Sequence, residues 1–377
     1  MNERLNGGKL FLVFLCFSLG SAGADDNRPG MTHGAVMGER FRVVVSSDIG
    51  GSDNDDYQSM VHFIVYADVF EVEGLISSPP KQGRAEHIHA VIDAYEKDYP
   101  NLLKASEDYP TPVQLRGLVK QGAIDPAPPE GFSQSTEGSR WLVERAGADD
   151  ARPLYVLVWG SITDVAQAVN DAPEIKSKLR IYSIGSWNTS NDVAAREYLF
   201  REHPDLWWIE ANTTFRGMYV GGRQDGEWGN QAFLDQHVRG HGALGDFLVD
   251  KLGAIKMGDS PSVLYLLMGD SDDPSAPHWG GSFVRTGHGP HYWTDSSAPD
   301  LTEGKFRGAR SVNVWREDFL KDWRDRMGKI AGAAQRTAPS PNWGRFAITS
   351  NAIELCALEQ RKRPAFSPGN RSQETGQ

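Results

Sequence analysis

The sequence predicts an α/β fold: an open, mostly parallel, doubly wound sheet in a single main domain. Three observations predict it. The β-branched run Val43-Val44-Val45 ends in a short acidic loop, and helical spacing starts at once, with Tyr57, Met60, Val61 and Ile64 at i, i+3, i+4 and i+7. Val72 to Ser77 then supplies a second strand, so strand, helix and strand form one crossover unit. Further on, Leu154 to Trp159 is a nearly continuous apolar run, the pattern of a central parallel strand buried on both faces. A chain of 377 residues is long enough for one large α/β domain or two smaller ones.

In order along the chain, Met1 to Ala24 has the pattern of a signal peptide. Arg4 and Lys9 give a positive start, Leu10 to Leu19 an apolar core, and Ala22-Gly23-Ala24 a small-residue cleavage site. That apolar run is too short to span a membrane, so the expectation is export to the periplasm or beyond, with no membrane partner. Removal of Cys16 with the leader leaves Cys356 alone, which excludes an intrachain disulfide and leaves stability to the core. The net charge of −11 argues against nucleic-acid binding. Oligomeric state has no signature here, and a homo-oligomer stays open.

Phe41 to Ser46 is the first strand, and a helix from Asp56 to about Asp68 leads to the second. Arg84 to Tyr99 is helical. Its His87 and His89 are two apart and so face different ways, which suits structural or surface roles better than a shared metal. Tyr109 to Glu137, rich in Pro and Gly, is expected to cross the active face irregularly. Gly138 to Gly147 is a helix. Gly160 to Asp164 turns the strand Leu154–Trp159 into an Ala/Val-rich helix. Leu179 to Ile184 is a strand, Ala194 to Arg201 a helix and Leu206 to Ile209 a short strand. Thr213 to Gly222 mixes aromatic residues with glycine, which suits either stacking on a sugar or base or a self-packed surface insertion. A helix from Gly245 to Leu252 precedes Ser262 to Leu267, read as a strand that ends in a second acidic cluster, Asp270-Ser271-Asp272-Asp273. Arg316 to Met327 is the last helix. The domain is placed at residues 40–328, and the tail beyond it is expected to be mobile.

Chemistry concentrates in the loop after the first strand. Asp48, Asp53, Asp55 and Asp56 fall within nine positions beside Gly50-Gly51. A turn and a helix cap account for Asp53, Asn54 and Asp55 one at a time. Four crowded carboxylates instead suggest a hard cation held by oxygens at the carboxyl end of a parallel strand. An EF-hand is excluded by the missing Glu at its twelfth position. A Rossmann dehydrogenase is excluded by the acidic loop without Gly-x-Gly-x-x-Gly. A serine hydrolase is excluded by the missing Gly-x-Ser-x-Gly elbow.

The loop resembles the Asp-x-Asp-Pro-Gly-x-Asp-Asp motif of the inosine-uridine nucleoside hydrolases. It is closer still to a secreted branch, the nucleoside hydrolase-like domain of proteins described as cellulose-binding. That branch has Asp-Ile-Gly-Gly, an insertion and then Asp-Asp, as in Asp48-Ile49-Gly50-Gly51 and Asp55-Asp56; Ser46 replaces the first Asp of the hydrolase motif. Gly160-Ser161-Ile162-Thr163-Asp164 resembles the hydrolases' second signature, and Asp273-Pro274 with Trp279-Gly280 the branch's late one. The resemblance covers roughly residues 40 to 325.

The resemblance implies a calcium ion held by Asp48, Asp56, the Trp159 carbonyl and Asp273, with Asp270 in reserve. It implies Asp48 as general base and Asp55 on a sugar hydroxyl, Asp53 being able to exchange with Asp55. Lys81 or Gln82 stands where the family's ribose-contacting Asn belongs, and Glu197 is nearest to its sugar-binding Glu. Leu199 breaks that last pattern, so Asn188 and Asn191 are candidates for the same work from the preceding loop. His278 is a candidate proton donor. The expected function is exported, calcium-dependent hydrolysis of a nucleoside-type N-glycosidic bond. The alternatives are a carbohydrate (cellulose or glycan)-binding protein and a glycosidase on the same fold.

Overall fold

The computed structural model describes residues 40–80, 83–128 and 134–331. The leader, both cysteines, Lys81, Gln82 and the tail lie outside them. One eight-stranded sheet runs through the domain, in the order β3-β2-β1-β4-β5-β6-β8-β7. The strands are β1 (Phe41–Ser47), β2 (Phe70–Ser77), β3 (Val119–Gln121), β4 (Leu154–Val158), β5 (Leu179–Ile184), β6 (Trp208–Ala211), β7 (Phe283–Arg285) and β8 (Tyr292–Asp295). Every neighbouring pair is parallel except β7 with β8.

The sheet is covered on both faces, and the side-chain period of two shows it directly. Val43 and Val45 of β1, with Tyr155 and Leu157 of β4, pack into one core under the helix Asp55–Val65 and the helix Ala85–Ala105. Val44, with Leu154, Val156 and Val158, packs into the other, against the helix Glu137–Ala146 and the helix Thr163–Asp171. Apolar runs without alternation are what two covered faces require.

β1 is flanked by β2 on one side and β4 on the other, so the chain winds outward in both directions from it. That makes the carboxyl ends of β1 and β4 a topological switch point, where the diverging crossovers leave a crevice.

Two expected elements differ. Ser262 to Leu267 is not a strand but part of the helix Ser260–Leu267. It is buried nearly all round, so its apolar run carries no helical period. Pro261, in its first turn, is the residue that favours the helix. The segment Tyr109 to Glu137 is also more regular than expected. It holds the helix Pro112–Leu118, capped reciprocally by Thr111 and Gln114, and then β3.

Candidate active site

The β1 carboxyl end enters a tight turn in which Gly51 N–H donates to the Asp48 carbonyl at 2.8 Å. Gly50 has φ of 85°, and a Cβ there would stand 2.1 Å from the His87 ring, so glycine is required on both counts. The turn delivers Asp48, and the helix that follows delivers Asp55 and Asp56, into a cavity of about 290 Å³. Trp159 at the end of β4, and Gly185, Ser186, Trp187 and Asn188 after β5, line the same cavity. Ser186 has φ of 59°, a strained conformation for a residue with a side chain, at the wall of the site. Phe215, Arg216, Tyr219, Lys256, Gly258 and Asp259 complete the lining.

Asp48, Asp56 and Asp259 form the acidic floor. Asp48 and Asp56 are 5% and 8% exposed, and Asp259 4%. Burial pushes the Asp56 carboxyl well above the usual range, and the charges of Asp48 and Asp259 push it further. Burial and then the charge of Asp48 do the same to Asp259. Ser47 Oγ donates to Asp56 Oδ1 at 2.5 Å. Asp259 stands at the cap position of the helix Ser260–Leu267, yet its side chain makes no capping bond. Its Oδ2 is buried without a hydrogen-bond partner. A buried carboxylate oxygen left unpaired beside two other carboxylates is costly unless a cation or a proton joins it.

The donor set therefore fits a hard cation in kind: three carboxylates and the Trp159 carbonyl, all oxygen. Among the described residues, no group of three or more His, Cys, Asp or Glu side chains is gathered in the arrangement of a formed metal cage. A cation would have to draw these carboxylates together against their mutual repulsion. The Trp159 carbonyl accepts from Asn188 Nδ2 at 3.1 Å, and that bond holds it at the cavity wall.

The profile of one family, described as "Cellulose-binding Sde182, nucleoside hydrolase-like domain", matches residues 42–283. The chain belongs to this family. No curated protein matches it. Among solved structures, a nucleoside hydrolase-related protein of Saccharophagus degradans associated with carbohydrate metabolism is 25% identical, with a TM-score of 0.62 over 78% of this chain and 72% of its own. The inosine-uridine preferring nucleoside hydrolase of Bacillus anthracis is 13% identical, with a TM-score of 0.46 over 76% and 99%. The type III effector XopQ, solved with adenosine diphosphate ribose, is 12% identical, with a TM-score of 0.48 over 78% and 93%.

Within this nucleoside hydrolase-like domain, Asp48, Asp55, Asp56, Trp159 and Asn188 line one cavity. Asp53 lines it too, its carboxylate 2.6 Å from Lys256 Nζ; Asp55 lies 3.8 Å from the same ammonium and is the less exposed of the two.

Other candidates lie elsewhere. Asp273 is not in the cavity lining: it is exposed in a turn, where Ser275 Oγ donates to it at 2.5 Å. His278 is buried among protein groups, its ring stacked on Tyr265 and its nitrogens 2.8 Å from the Ala276 carbonyl and 2.7 Å from that of Asp270. The reason is the helix Ser260–Leu267. It starts at the cavity and leads away, about 12 Å over eight residues at 1.5 Å each. The acidic cluster that follows therefore reaches the opposite, amino-terminal ends of the strands, where Ser271 and Asp272 lie beside Phe41 and Pro153 at the starts of β1 and β4. Asp270 goes with it. Asn191 is exposed and donates to the Trp187 carbonyl at 2.7 Å, outside the lining. Glu197 is clamped by Arg196 and Arg201, each at 2.7 Å, also outside it. Gln82 lies outside the described residues.

Asp259, Arg216 and Lys256 were not singled out from the sequence. Asp259 is a lone acid before Ser260-Pro261, which reads as an ordinary helix cap. Arg216 lies inside the glycine-aromatic stretch, whose Phe215 and Tyr219 now prove to line the cavity.

Proposed function

We propose that the protein is an exported hydrolase of glycosidic bonds, most simply the N-ribosyl bond of a nucleoside, that works with a divalent hard cation such as calcium. The observation that carries this reading is the acidic floor of Asp48, Asp56 and Asp259 in one cavity at the switch point of the sheet. The family match supports the fold of that reading, and the Met1 to Ala24 pattern supports export. Asp48, Asp56, Asp259 and the Trp159 carbonyl would hold the cation, which when bound supplies positive charge to orient vicinal hydroxyls and to acidify water.

Asp48 then accepts a proton from the attacking water as general base. The water oxygen bonds to the anomeric carbon as the bond to the leaving group breaks, and its electron pair departs with that group. Positive charge gathers on the sugar ring, and the neighbouring carboxylates stabilise it. Asp55 holds a sugar hydroxyl and limits the poses of the ring.

The test is turnover of a panel of nucleosides and 4-nitrophenyl glycosides by the calcium-loaded protein. Asp48→Asn should lower kcat by about 10²- to 10⁴-fold with sugar binding retained. A second reading, a glycan-binding protein without turnover, is favoured by Trp187, 41% exposed at the cavity wall, and by the family's cellulose-binding description. No turnover across the panel, with wild type and Asp48→Asn binding glycans equally, would establish that reading instead.

A further inference from the structure

The cavity wall carries two cations, and they differ in state. Lys256 Nζ is 2.6 Å from Asp53 and 3.8 Å from Asp55, so carboxylates already neutralise it. Arg216 has no such neighbour: the described residues offer its guanidinium no carboxylate at ion-pair distance. Its Nη1 donates to Tyr219 Oη at 2.9 Å, and its Nε is buried without a hydrogen-bond partner. The guanidinium rests over two rings, Phe215 at 4.9 Å and Phe306 at 5.1 Å. Stacking of this kind fixes the plane of the fork before a ligand arrives. A charged donor so held at the wall of a cavity, with no carboxylate at ion-pair distance among the described residues, is suited to an oxyanion.

We propose that the ligand of this cavity is an anionic glycoside, a sugar carrying a phosphate or carboxylate that pairs with Arg216 while its hydroxyls face the acidic floor. This rests on the reading of the cavity as a sugar site. The polarity of the cavity fixes the orientation. Asp48, Asp56 and Asp259 repel an anion and Arg216 attracts it, so the anionic group lies at Arg216 and the hydroxyls toward the carboxylates. Arg216 is thus a specificity-determining residue. The shared chemistry is an oxyanion on a sugar, and its two sources are a nucleotide-type phosphate and a uronic-acid carboxylate.

Calorimetric titration of the calcium-loaded protein with ribose, ribose 5-phosphate, glucose and glucuronate tests this. At least one anionic probe should bind about tenfold or more tightly than its neutral counterpart, an advantage that high salt reduces. A phosphate preference identifies nucleotide-type ligands, and a carboxylate preference uronic-type ones. Arg216→Gln should remove the advantage of the anionic probe over its neutral counterpart, while Arg216→Lys should restore part of it. Retention of the Arg216→Lys preference together with its loss in Arg216→Gln separates a charge contact from a folding defect. Equal binding of neutral and anionic probes, or a preference that persists in Arg216→Gln, overturns the inference and leaves the sugar site standing. Binding of none of the probes overturns both.

Discussion

Asp164 and Asp192 are buried carboxylates that the proposed chemistry does not use, and they set a pH dependence of their own. Burial pushes each up to about 6, against the hydrogen bonds of Thr136 and the Ala123 N–H to Asp164 and of Thr163 to Asp192. Both folded values lie above the ordinary one, so the native state binds more protons than the unfolded chain between about pH 4 and pH 6. Their contribution is full below that window and is lost as pH rises through it. The expected outcome is a higher denaturant midpoint near pH 5 than near pH 7.5. Asp164→Asn should flatten the difference, by on the order of 1–3 kcal/mol; an unchanged pH slope in the variant would contradict the assignment. At this scale the sequence carried the site where acids cluster beside glycine, as with Asp48, Asp55 and Asp56. It did not carry Asp259, because a single acid before Ser-Pro has a sufficient explanation as a cap; in the structure its side chain makes no capping bond and its Oδ2 is buried without a hydrogen-bond partner.

The elements repeat the lesson. β1, β4 and β5 were legible because two-faced burial demands apolar runs closed by turn residues, and each of them ends at the cavity. The helix Ser260–Leu267 was not, because eight buried apolar residues look alike in either conformation. That one exchange, helix for strand, is why Asp273 and His278 lie away from the cavity, toward the amino ends of the strands. Close packing between elements also yields a prediction. A Cβ on Gly160, at the end of β4, would stand 2.8 Å from the Asp48 Cβ and 2.8 Å from Ser78 Oγ. Gly160→Ala should therefore displace Asp48 and lower kcat roughly 10- to 100-fold, with circular dichroism unchanged. Full activity in this variant would mean that Asp48 tolerates movement a general base should not.

Over the whole molecule, the sheet order places the acidic loop where an open parallel sheet diverges, and that position rather than any one residue explains why cavity, acids and aromatic wall coincide. A cation bound there would link the ends of β1 and β4 to the start of the helix Ser260–Leu267, segments far apart in sequence. It should therefore raise the unfolding temperature, and go on raising it with the logarithm of the calcium concentration above the dissociation constant.

The most direct measurement is calorimetric titration of calcium into EDTA-stripped protein, for wild type, Asp259→Asn and Asp273→Asn. The account predicts one site in wild type and in Asp273→Asn and its loss in Asp259→Asn, with that variant more stable than wild type before calcium is added, since one of three crowded, buried carboxyl groups is gone. Loss in Asp273→Asn with retention in Asp259→Asn, or no binding by wild type, would contradict it.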